Sequence, residues 1–73
     1  MDRTATEAAI TTFLHEIRQR LDEVASTARA AEACADAGNV DAAVGVLLDM
    51  EQPIYEASRL LDAASLLNRI SKG

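Results

Sequence analysis

The stretch Cys34-Ala35-Asp36-Ala37-Gly38-Asn39-Val40-Asp41-Ala42-Ala43-Val44-Gly45-Val46-Leu47 decides the fold. Gly38 can adopt the left-handed backbone that ends a helix, and Asn39 can cap the one that follows. Asp41 then sits at the positive end of the new helix. Before this break, apolar residues recur at steps of four and three: Ile10, Leu14, Ile17, Leu21, Val24, Ala28, Ala31 and Ala35. After it the same heptad returns as Val40, Ala43, Leu47, Met50, Ile54, Ala57, Leu61 and Ala64. Two such seams around one break predict an all-α fold, an antiparallel two-helix hairpin running from Ala5 to Ala37 and from Val40 to Ser71. At ~1.5 Å per residue each helix spans roughly 45 to 50 Å, so the two arms match. Thr4 and Glu7 fit a capping box for the first helix, and Arg69 and Lys72 complement the negative end of the second.

Pro53 complicates the second helix, because a proline inside a helix removes one hydrogen bond and crowds the carbonyl four residues back, at Asp49. Either the helix continues through a kink, or it stops near Glu51 and restarts with Pro53 in its first turn. The heptad keeps its phase from Met50 through Ile54 to Ala57, which favours a proline kink in one continuous helix.

The chain has 73 residues, which makes residues 1–73 a single domain, and 15 of them are alanine. Alanine favours helix but buries little area, and one cysteine allows no internal disulfide. A lone hairpin of this composition has a thin core, so assembly as a homodimeric four-helix bundle is expected. The second helix strengthens that expectation. With Val40, Leu47, Ile54 and Leu61 at heptad position a, the flanking g row is also apolar: Val46, Pro53, Leu60 and Leu67. A helix with one neighbour needs only a narrow seam, so Leu47, Ile54, Leu60, Leu61 and Leu67 are the expected dimer core. Asn68 continues the a row, either as a polar pair that fixes register or as a solvated residue near the helix end.

The net charge of −5 and pI of about 4.6 are the wrong sign for broad contact with phosphate backbones. No uncharged run is long enough to span a bilayer, and nothing after Met1 resembles the apolar core of a signal peptide; a cytoplasmic protein is expected. Chemistry is not encoded. His15 lies on the solvent side without the glutamate spacing of bundle metal sites, Cys34 has acidic neighbours that disfavour a reactive thiolate, and no glycine-rich phosphate loop occurs. The expectation is therefore a non-enzymatic protein with no catalytic residue, metal, cofactor or small-molecule substrate. Glu16 with Arg20, Arg18 with Asp22, and Glu56 with Arg59 are spaced as exposed helix-supporting pairs.

Apolar residues left over from the core assignment, Leu48 and Tyr55 with Leu66 and Ile70 beyond, are either further dimer core or a partner surface. Tyrosine is favoured at the buried centre of interfaces. With Asp49, Glu51, Glu56 and Asp62 as an acidic rim, Leu48 and Tyr55 would suit a basic protein target, and the molecule would act as a regulator or inhibitor. The alternatives are a dimeric RNA- or DNA-binding regulator using Arg18 and Arg20, and a purely structural oligomerisation element. In outline the two-helix layout resembles the plasmid-encoded Rop type of RNA-binding helical-hairpin dimer over nearly the whole chain. The likeness is one of shape with no shared motif, so no functional residue is carried over.

Overall fold

The computed structural model describes residues 2–72, and every regular element among them is helical. Helix α1 (Arg3–Asp36) is followed by α2 (Val40–Leu47), a 3₁₀ turn (Leu48–Met50) and α3 (Glu51–Lys72). Residues 40–72 thus form one return arm with no non-helical residue, and it packs back along α1. The hairpin measures 54 × 14 × 12 Å.

The connection is made as its residues dictate. Gly38 has φ +87°, Asn39 N–H donates to the Cys34 carbonyl at 2.9 Å, and Gly38 N–H donates to the Ala35 carbonyl at 2.9 Å. This is the paired closure of a Schellman motif, which satisfies the last carbonyls of α1. Asn39 then accepts from the Ala42 N–H through its side chain at 3.0 Å, capping α2. The start of α1 differs from expectation. Asp2 is the cap, accepting from Thr4 N–H at 3.2 Å, and the helix begins two residues before Ala5. Asp2 is the better acceptor because its carboxylate also faces the positive helix end. Glu7 is consequently free to pair with Arg3 at 3.3 Å and does not return to Thr4.

The 3₁₀ turn lies just ahead of Pro53. Glu51 N–H bonds to the Leu48 carbonyl, three residues back, so the backbone tightens in the turn where proline withholds a donor and crowds Asp49.

The seam between the arms differs from the expected one. The buried residues are Thr6, Ala31, Ala43, Pro53 and Ala57. In a two-helix molecule such burial comes from the facing arm. On α1 the seam combines the expected Ile10, Ile17, Val24 and Ala31 with the row Thr6, Phe13, Arg20, Thr27 and Cys34, all half-buried or buried. On the return arm it combines Ala43, Met50, Ala57 and Ala64 with Val46, Pro53, Leu60 and Leu67. Leu60 and Leu67, expected at a second subunit, are already half-buried within the single hairpin. Conversely Val40, Leu47, Ile54 and Leu61 are exposed at 45% to 61%. Small residues hold the most buried positions of the return arm, Ala43, Pro53 and Ala57, and the bulky a row is turned outward.

At the open end Arg3 spans the arms, donating to Ser71 Oγ at 3.1 Å and to Asn68 Oδ1 at 3.5 Å. Asn68 is half-buried and engaged within the chain.

Gly38→Ala is expected to lower unfolding free energy by about 1–2 kcal/mol, read from urea denaturation. A Cβ there meets open space, so the loss comes from forcing alanine into the left-handed backbone.

Candidate functional site

The two long sides of the hairpin are chemically different. One carries a polar clamp. Arg20 pairs with Glu16 one turn earlier and reaches Glu56 of α3 at 3.4 Å. The Arg20 side chain is only 27% exposed, and its Nε has no hydrogen bond of good geometry among the described residues, so the contact with Glu56 is mainly ionic. Gln52 donates to Glu56 at 3.2 Å from the preceding turn. Of the three expected helix-supporting pairs only Glu16–Arg20 forms among the described residues, because Glu56 turns toward Arg20 and Arg59 toward Asp62.

The other side is apolar. Leu14 and Leu21 of α1 stand exposed at 57% and 52%, opposite Leu47, Ile54 and Leu61 of the return arm. A groove of about 510 Å³ at the open end is lined by Ile10, Thr11, Leu61 and Ala64 among others, which fixes Leu61 and Ile10 on the same side. A second groove, about 420 Å³, lies farther along the return arm between Leu47, Met50, Glu51, Ile54, Tyr55 and Ser58. These exposed side chains form a row along one side of the hairpin, unlike the scattered exposed leucines common on protein surfaces.

The back of the return arm holds the remaining candidates. Leu48 and Tyr55 are exposed at 56% and 59%. The Arg59 guanidinium stands 5.8 Å from the Tyr55 ring centroid, a cation–π contact, and also pairs with Asp62. Of the acidic rim, Asp49 and Glu51 are exposed and form no ion pair among the described residues. Glu56 and Asp62 are engaged by Arg20 and Arg59. Leu48, Asp49, Glu51 and Tyr55 are thus all exposed, Glu51 and Tyr55 lining one groove, whereas Glu56 is turned to the clamp side.

His15 is exposed and Cys34 is a half-buried free thiol. No group of three His, Cys, Asp or Glu side chains among the described residues is placed to hold a metal ion, and no helix among them is long and apolar enough to cross a membrane. Comparison with protein-family models, curated proteins and solved structures finds no match to this chain.

The clamp is hidden in the heptad pattern because Arg20 falls on the flank of the regular α1 seam. Its signal is nonetheless present: an arginine in the row Phe13, Arg20, Thr27 is level with a return-arm glutamate once the turn is fixed at Gly38. Arg20→Ala leaves Glu16 and Glu56 facing each other without their cation. It is expected to destabilise the protein by about 1–2 kcal/mol, and Glu16→Ala by less than about 1 kcal/mol, in matched urea titrations.

Proposed function

We propose that this chain is a non-enzymatic protein-interaction module that works as a homodimeric four-helix bundle and regulates or inhibits a partner protein. The observation that carries this reading is the row Leu47, Ile54 and Leu61, exposed beside Leu14 and Leu21. Among the described residues the hairpin fully buries only alanine, proline and threonine, and the large apolar row Val40, Leu47, Ile54 and Leu61 lies outside its own seam. A second helical layer on that face would remove them from water at roughly 1.5–3 kcal/mol per fully buried leucine or isoleucine. In this reading Pro53 and the 3₁₀ turn before it kink the return arm so that it follows the bundle.

The partner surface is the back of the same arm, Leu48 and Tyr55 flanked by Asp49 and Glu51, and a basic protein face is the chemistry it fits. Its acidity and the net charge of −5 support that polarity. The nucleic-acid reading is weakened by Arg20, whose guanidinium is committed to Glu16 and Glu56, leaving Arg18 alone of the two candidates.

Sedimentation equilibrium at micromolar concentration is expected to give a dimer. Ile54→Ala and Leu61→Ala should each weaken it while also lowering helicity, at a cost of about 2–5 kcal/mol where the side chain becomes buried. A stable, fully helical monomer rejects the assembly. The double variant Leu48→Ala/Tyr55→Ala is expected to keep the dimer and to lose a partner captured by the unmodified protein. Unchanged capture rejects that surface, and loss of the dimer returns both residues to its core. Binding to nucleic acid that falls steeply with salt and is abolished by removing Arg18 and Arg20 would replace the protein-partner reading.

A further inference from the structure

We infer that the occupant of the open apolar face is a second copy laid antiparallel, with the two Gly38 turns at opposite ends and a two-fold axis crossing the α1 helices at Ala25. This deepens the dimer proposed above and rests on it.

Contacts between the arms set the levels along the hairpin. Arg20 lies against Glu56, and Arg3 against Ser71. Counting from Arg20 and Glu56 places Leu14 level with Leu61, Leu21 with Ile54, Ala28 with Leu47 and Ala35 with Val40. On this face α1 therefore grades from leucine at the open end to alanine at the turn, whereas the return arm is bulky throughout. Two ways of facing two hairpins keep their long axes aligned. If the turns share an end, each α1 faces the partner's return arm at the same level. Leucine then meets leucine or isoleucine at the open end and alanine meets leucine or valine at the turn, and the layers taper. If the turns are opposed, α1 faces α1. Leu14 then meets Ala35 and Leu21 meets Ala28, while on the return arms Val40 meets Leu61 and Leu47 meets Ile54. Each helix pair keeps one spacing along its length, as close packing requires.

Charge gives the same answer from other residues. Arg18 and Glu32 lie in the row next to Leu14 and Leu21 on the side that would face the partner. Both are exposed and neither forms an ion pair among the described residues. Ala25 is midway between them. Reversing α1 about Ala25 sets Arg18 against the second copy's Glu32, twice by symmetry. One row farther out the same reversal sets Asp22 against Arg29, which likewise form no ion pair among the described residues. With the turns together, Arg18 would meet Ser58 and Glu32 would meet Val44, and no opposite charges are matched. The size gradient and both charged rows of α1 share nearly the same centre, which Ala25 occupies. On the return arms the same reversal brings the two exposed copies of Glu51 together, a like-charge contact set against four opposite-charge pairs on α1.

The test is Ala25→Cys in a Cys34→Ala background, treated with a short bis-maleimide after sedimentation has established the oligomeric state. A cross-linked dimer from this single variant is expected, because only the antiparallel arrangement brings the two copies of residue 25 together. A sedimenting dimer that does not cross-link there, but in a mixture of Ala25→Cys with Glu51→Cys in the same background gives a cross-link between the two different chains, overturns the orientation and leaves the dimer standing. A folded monomer overturns the dimer itself. Charge reversal gives a second readout that does not depend on a cysteine. Arg18→Glu should weaken dimerisation roughly fivefold, and adding Glu32→Arg to the same chain should restore it. The two sites lie about 21 Å apart along one helix, too far to couple within a chain, so absence of rescue counts against the antiparallel pairing.

Discussion

The close approach of the two arms along a line of small side chains sets everything else in this molecule. Ala31, Ala43, Pro53 and Ala57 are nearly removed from solvent, and the half-buried Phe13, Met50, Leu60 and Leu67 fill the rest of the contact, which leaves no place in it for a second row of leucines. The bulky a row of the return arm is thus rotated to the edge of the contact, where one arm cannot cover it. What reads in a monomer as poor burial is the geometric result of a tight seam.

The same rotation divides the hairpin into unlike sides. Arg20 is carried far enough around α1 to meet Glu56 across the seam, while Leu14 and Leu21 emerge on the opposite edge. A half-buried cation between two carboxylates adds little net stability. It does make that side a poor surface for apolar association, because covering it would strip water from three charged groups. The apolar side carries no comparable half-buried ion cluster among the described residues, so the two sides differ in what covering them would cost.

Much of the architecture was legible in the sequence. The helix break at Gly38 and Asn39, the capping of α2 and the near-equal arms follow from local chemistry acting over a few residues, which a sequence displays directly. The rotation of the seam was not legible. Positions a and g of the return arm are both apolar, and Ile54 and Pro53 are adjacent in the chain. Periodicity alone gives no reason to prefer the bulk of Ile54 or the smallness of Pro53 at the contact. The facing helix offers a row for each, Thr6, Phe13 and Thr27 on one flank and Leu14 and Leu21 on the other. Side-chain volume decides between them, and volume acts only once two surfaces meet. The candidate partner surface was legible to a lesser degree. Leu48 and Tyr55 stand out as leftovers of the heptad, but the reach of Glu56 to Arg20 depends on tertiary placement.

The Schellman turn also orders the folding of the chain in time. Each rung away from Gly38 closes a longer loop than the last, from the few residues around Ala35 and Val40 to the clasp of Arg3 on Ser71, and the entropy of closure rises with each step. The least costly route is to form the turn first and zip toward the open end, as expected for a topology whose earliest contacts are local. The residues met first on α1 are alanines, which align helices without trapping them, and its large side chains enter last. Partial opening runs the other way, beginning at the Arg3 clasp, so amide exchange should be fastest at the two ends of the described chain and slowest where α1 and α2 meet.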